Sequence, residues 1–424
     1  MPNLNFAKLL LKRMVLNLCL FLSVPLCVSA AGGDALSLKE VLDPKVYEAP
    51  GTYPHASHDV GDIKAVFYDS LAYKGNPTRT FAYLGIPKSD KPVPAMVLVH
   101  GGGGTAFHKW VKIWNDRGYA AIAMDLEGHL PENVEWRSRR LSHEHSGPSR
   151  VGRFDDAELP LREQWMYHAV SDILIAHTLL ASLPDVDADR IGITGISWGG
   201  ILSSLVSGID SRYKCAIPVY GCGYLYESHG YFKSVKSDAQ KFWDPARHFS
   251  GGSVPTLWIN GDSDGHFSVN TTSRSFEATS DHAFLSIHYG LAHGHGPGWD
   301  AKRVPEVYAF ADHILMGKGP APGRIVKQPS GRTVDLAFES ETPIESATIY
   351  YLDEPITYRK SENNPNAKHS GPGSWTELNA AVNAEESTVH AQLPESCMTY
   401  YVNLKDTRGH LISSIVVELD EDEN

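Results

Sequence analysis

Hydrophobic residues fall into two rhythms along the chain. Between residues 63 and 316 unbroken apolar runs alternate with amphipathic stretches. Residues 63–68 and 79–84 alternate in period two around Lys74-Gly75-Asn76-Pro77, which predicts a hairpin. Residues 94–99 are continuously apolar and end in His100 and four glycines, a helical pattern runs to Arg117, and a second apolar run fills 120–124. The alternation continues with helices near 163–183 and 303–316 and strands at 190–194, 215–219, 255–259 and 284–288. Continuous runs separated by amphipathic segments predict a doubly wound, mostly parallel sheet covered on both faces. Residues 32–60 show no period and read as a surface lead-in.

Past the Gly- and Pro-rich stretch 317–323 the period becomes two. Short alternating runs at 334–338, 346–351, 388–393, 399–404 and 413–418 predict a small all-β sandwich. The expected organisation is a leader over 1–30, an α/β region over 31–316, a linker at 317–323 and a β-sandwich over 324–424. The leader expectation rests on a basic segment (Lys8, Lys12, Arg13), an apolar core from Met14 to Val28 broken by Pro25, and small residues at Ser29-Ala30-Ala31. That is the pattern of a cleaved secretory signal, too short to span a bilayer comfortably, and it implies a secreted or periplasmic chain without a membrane anchor.

Charge and cysteine usage narrow the picture further. The 38 basic and 50 acidic residues give −12, and removing the three basic residues of the first thirty leaves −15, a poor match for nucleic acid. Cys19 and Cys27 lie in the leader, so Cys215, Cys222 and Cys397 remain, an odd number that does not form a disulfide framework.

The candidate chemistry lies where strands end. Gly195-Ile196-Ser197-Trp198-Gly199 sits between a strand and a helix, the setting of a nucleophile elbow. His100-Gly101-Gly102-Gly103-Gly104 follows an apolar strand without the Gly-Lys-Ser/Thr of a phosphate loop, so its backbone N–H groups at Gly102 and Gly103, with that of Trp198, are candidates for an oxyanion hole. Asp264, three residues after Gly261, is the candidate acid. Asn260, Asp262 and Asp264 imitate the start of a calcium loop, but its twelfth position is Thr271. After the next strand comes Leu291-Ala292-His293-Gly294-His295, and two histidines compete for the base, with His293 favoured by its distance from the strand end. The order Ser, Asp, His is that of α/β-hydrolases.

With these segments in hand, "VLVHGGGGTAF", "RIGITGISWGG", "WINGDSDGHF" and "HGHGPGW", the chain resembles the α/β-hydrolases that include dienelactone hydrolases and bacterial acetyl xylan esterases, over roughly residues 60–316. It departs from dienelactone hydrolases in having serine rather than cysteine as nucleophile, and in its added sandwich, which resembles immunoglobulin-like or fibronectin-like modules. The resemblance implies serine ester hydrolysis through Ser197, Asp264 and one of the two histidines, with no metal or organic cofactor. The expected substrate is an acyl ester, foremost acetyl, on a polysaccharide or oligosaccharide. Two other readings stand beside it: a peptidase of the prolyl oligopeptidase type, less favoured without a propeller-sized N-terminal region, and a non-catalytic glycan-binding protein on a hydrolase scaffold. The loop between Asp125 and Arg162 holds Trp136, His143, His145 and six arginines (137, 139, 140, 150, 153, 162). Trp136, Arg139 and Arg140 are candidate substrate contacts for an anionic glycan. The competing expectation is an internally salt-bridged loop, since it also carries Glu127, Glu132, Glu135, Glu144, Asp155, Asp156 and Glu158.

Overall fold

The structure is a computed structural model, and it describes residues 37–131, 141–228, 230–232, 234–249, 254–279, 282–356 and 375–419. The expected leader and Trp136, Arg137, Arg139 and Arg140 lie outside the described residues. The described residues belong to one compact unit, Asp34–Asn424.

The first sheet, among the described residues, has nine strands: β1 (Thr52–Pro54), β2 (Lys64–Asp69), β3 (Arg79–Gly85), β4 (Val93–Val99), β5 (Ala120–Met124), β6 (Val186–Ile196), β7 (Cys215–Val219), β8 (Thr256–Gly261) and β9 (Ala283–His288). Their order is β1-β2-β3-β5-β4-β6-β7-β8-β9. β1, β2 and β3 pair antiparallel at one edge, and the six strands from β5 to β9 are parallel. The path reverses between β4 and β6, so the carboxyl ends of these strands open the crevice in which α/β folds bind ligands. Helices α1 (His108–Asp116), α2 (Trp165–Ser182), α3 (Trp198–Ile209) and α4 (Val269–Ala278) lie on connections between the parallel strands, and α5 (Pro305–Met316) follows the last of them. Every residue of β4, β5, β7 and β8 is buried, which is why those runs carry no polar alternation. The lead-in is more structured than its sequence suggested: Leu38, Leu42 and Val46 are buried in the main core. Cys215, Cys222 and Cys397 are free and buried. No described helix is long and apolar enough to cross a membrane.

Beyond Gly317, which ends α5 in the left-handed region at φ 62°, the regular elements among the described residues are all β. The strands are β10 (Arg324–Lys327), β11 (Thr333–Glu339), β12 (Ile344–Leu352), β13 (Thr376–Asn383), β14 (Thr388–Gln392), β15 (Thr399–Asp406), β16 (Leu411–Ser413) and β17 (Val417–Glu418). They follow one hydrogen-bonded path, β10-β11-β14-β13-β12-β15-β16, with β17 on β15, every pairing antiparallel. β13 joins the two halves of the expected sandwich, and the sheet curls nearly into a barrel around Val334, Leu336, Ile349, Val389, Tyr400 and Val402. The run expected at 413–418 is divided between β16 and β17.

The second sheet meets the first at β9, its last strand. Ser413 Oγ accepts from Ile287 N–H at 2.7 Å, and Asn403 Nδ2 donates to Ile287 C=O at 2.9 Å. Side chains thus satisfy a strand edge that would otherwise present unpaired backbone groups. Glu306 on α5 accepts from Leu411 N–H at 2.7 Å, and Ser273 on α4 accepts from Val416 N–H at 2.9 Å.

Candidate active site

Ser197 stands between β6 and α3 at φ 60°, ψ −117°. This backbone region is costly for a residue with a Cβ and is tolerated where the surroundings enforce it. The enforcement is visible. Ser197 N–H donates to Val219 C=O on β7 at 2.9 Å, and the flanking glycines are hemmed in by backbone. A Cβ on Gly195 would lie 2.1 Å from Gly199 O, and one on Gly199 would lie 2.0 Å from Val99 O. The sharp turn lifts the Ser197 hydroxyl off the sheet, and the residue is only partly buried.

Ser197 Oγ lies 3.0 Å from His293 Nε2, and His293 Nδ1 lies 2.6 Å from Asp264 Oδ2. A carboxylate can only accept, so Nδ1 carries the proton and Nε2 turns its lone pair to the serine hydroxyl. Asp264 is buried, and its other oxygen accepts from His266 N–H at 2.7 Å and Phe267 N–H at 3.1 Å. The imidazole is held between rings: His266 stacks on it at 4.3 Å, and Tyr220 lies tilted at 4.9 Å with its hydroxyl donating to Ala292 C=O. Burial pushes the Tyr220 hydroxyl well above the ordinary phenol range, so it stays a donor.

His295, the other candidate, faces the glycine turn instead. Its Nε2 accepts from Gly101 N–H at 2.8 Å, with the ring against Phe107 and Trp299. The turn is further shaped by a Gly104 N–H to Gly101 C=O bond at 2.8 Å and by His100. Leu126 N–H donates to His100 Nε2 at 2.9 Å, so Nδ1 is the protonated nitrogen and donates to Gly101 C=O at 2.8 Å. With Gly101 N–H engaged by His295, the expected donors on this turn are Gly102 and Gly103. Gly102 packs against Trp198, since a Cβ there would lie 2.6 Å from the Trp198 ring. Trp198 is the first residue of α3, where backbone N–H groups have no helical acceptor.

Sequence reasoning missed His100, Tyr220, His266 and Asp125. Asp125 is buried after β5 and accepts from Thr105 Oγ1 at 2.7 Å and from the backbone of Glu127 and His129. His100 had a signal in its place between strand and glycines, whereas Tyr220 and His266 meet His293 only through the fold. The described arginines of the long loop have partners, one within the loop and two outside it. Arg150 lies 3.8 Å from Glu127 and over the Trp198 ring, Arg153 donates to Tyr231 C=O, and Arg162 pairs with Asp43 at 3.1 Å. Burial lowers the His143 imidazole to about 4, leaving it neutral. Asp264, His266 and His293 could together hold a metal ion, with ligand atoms within 4.8 Å of one another. Such an ion would displace the proton between Asp264 and His293 and compete with base chemistry.

Two family models match the chain: acetyl xylan esterase (AXE1) over residues 55–230 and the prolyl oligopeptidase family over residues 155–318. An uncharacterised peptidase, YuxL, of Bacillus subtilis (strain 168) is 22% identical over 204 residues, a match that takes in 44% of this chain and 28% of that protein. Among solved structures, an acetyl xylan esterase from Paenibacillus sp. R4 is 19% identical with TM-score 0.49, covering 63% of this chain and 89% of that one. An acylaminoacyl peptidase from Pyrococcus horikoshii is 19% identical with TM-score 0.46, covering 60% and 42%. The two family matches, the parallel sheet and the serine at its elbow agree in giving residues 55–318 the α/β-hydrolase fold.

Proposed function

We propose that the protein is a secreted serine esterase that removes an acetyl or similarly small acyl group from a carbohydrate. The observation that carries the reading is the unbroken hydrogen-bond line from Ser197 through His293 to Asp264 beside a glycine turn. His293 takes the Ser197 proton as the oxygen attacks the ester carbonyl. The backbone N–H groups of Trp198, Gly102 and Gly103 hold the oxyanion, and as the intermediate collapses the imidazolium gives its proton to the departing sugar oxygen, which leaves as a hydroxyl. Water then attacks the acyl-enzyme with His293 as base, releasing acetate and restoring Ser197. His295 fixes the turn rather than entering the reaction.

The test is a substrate panel of p-nitrophenyl acetate, longer acyl esters, acetylated xylan and short peptides, each run with Ser197→Ala. Hydrolysis of the acetyl esters, lost by several orders of magnitude in the variant, is expected. Faster turnover of peptides than of acetyl esters would replace this reading with the peptidase one.

A further inference from the structure

Asp262 directly follows β8, two residues before Asp264, and is fully buried, yet the triad does not use it. Its carboxylate joins three parts of the molecule. Oδ1 accepts from Gly290 N–H at 2.8 Å, on the segment leading to His293, and from Ser263 Oγ at 3.0 Å. Oδ2 accepts from Tyr401 O–H at 3.1 Å, on β15 of the second sheet. Its backbone is held as well: the N–H donates to His288 C=O at 3.2 Å, and the C=O accepts from Trp375 Nε1 at 3.4 Å. The two loops touch closely, since a Cβ on Gly261 would lie 2.4 Å from Leu291 O. An aromatic stack reinforces the link. Tyr289 from the histidine loop stacks on Tyr350 of β12 at 5.0 Å, Tyr350 stacks on Tyr401 at 5.1 Å, and Trp375 meets Tyr401 edge-on at 5.1 Å. Burial raises the Asp262 carboxyl, offset by its hydrogen-bond donors, and a buried acceptor that loses a donor is left with an uncompensated desolvation cost.

We propose that Asp262 and Tyr401 are positioning residues through which the second sheet holds the acid loop and the histidine loop at the spacing that Ser197 requires. The idea rests on Ser197, His293 and Asp264 being the reacting groups. A buried carboxylate bonded to both loops transmits any displacement of Tyr401 to Asp264 and His293 together. Small misplacements of reacting groups cost far more in rate than in binding, so the effect belongs in kcat.

The experiment uses the full chain and compares wild type, Tyr401→Phe, Asp262→Asn and Val389→Ala in p-nitrophenyl acetate hydrolysis, in labelling by a fluorophosphonate probe and in Tm. Tyr401→Phe keeps the ring and loses only the donor, so it folds even where Asp262→Asn does not. Val389, in the core of the second sheet, controls for general loss of stability. The expected result is a roughly tenfold fall in kcat and labelling rate for Tyr401→Phe with KM within twofold of wild type, while Val389→Ala lowers Tm and leaves kcat unchanged. A Tyr401→Phe enzyme with kcat within twofold of wild type, or a Val389→Ala enzyme slowed in proportion to its lost Tm, overturns the inference alone. Wild-type protein that fails to label at Ser197 overturns both the triad reading and the inference.

Discussion

β4, β5, β7 and β8 bury every residue, while β11 alternates buried and open positions and β13 fully buries none. A sheet covered on both faces can offer solvent only its strand ends, so Ser197, Asp264, His293 and the glycine turn collect where β6, β8, β9 and β4 stop. A sheet with one face to spare can spend it on a neighbour. Here that neighbour is the β9 edge and the two loops beside it, reached by Ser413, Asn403 and Tyr401. The chemistry belongs to the first sheet, and part of its alignment is supplied by the second.

Deleting residues 324–424 attacks that comparison most directly. It strips the side-chain partners Ser413, Asn403 and Tyr401 from Ile287 and Asp262 and the Leu411 N–H from Glu306, and it uncovers the β9 edge, so the truncated chain should be recovered as aggregate without esterase activity. A soluble fragment that hydrolyses p-nitrophenyl acetate at the wild-type rate would make the second sheet a passenger. The two histidines sharpen the comparison from the catalytic side. His293→Ala should lower kcat about 10⁴-fold, and His295→Ala only about 10- to 100-fold, because the second loses a support for the oxyanion turn rather than the base. Equal losses in steady-state kinetics would return the choice of base to open question.

The last contrast concerns charge. Asp172 on α2 lies fully inside the first region, where burial raises its carboxyl to about 7 against 3.8 despite hydroxyl donors at Ser70 and Thr80. The raised value means the folded state binds this proton more tightly than the unfolded chain. The group therefore loses stability as pH rises from about 4 to 7. Asp172→Asn should leave stability near pH 4 almost unchanged and raise it at pH 8 by up to about 4 kcal/mol, read by urea unfolding at both pH values. Exposed Asp335, in the second sheet, is lowered instead by its hydrogen bond from Lys327. A second-region acid should show no such rescue, and a flat difference between the two pH values would remove the contrast.

Legibility followed the same division. The parallel strands were readable because burial on both faces leaves uninterrupted apolar runs, and the expected 215–219 is β7 residue for residue. β1, three exposed residues, and β13, whose Thr-Glu-Leu-Asn-Ala-Ala-Val-Asn offers few bulky apolar side chains, carry too little hydrophobic signal to be seen. Ser197, Asp264 and His293 were legible because each follows a strand within a short loop. Asp262 was noticed only as a false calcium ligand. Its partner Tyr401 lies 139 positions away, a distance that no local pattern spans.

The backbone at Ser197 carries an evolutionary consequence. Its positive φ costs of order 1–3 kcal/mol, and glycine at that position would be released from it. A lineage kept only for holding glycans would gain stability by drifting away from serine there, along the trade between stability and activity. Under the proposed function, that strain is a cost that acyl transfer, and not adhesion, has reason to bear.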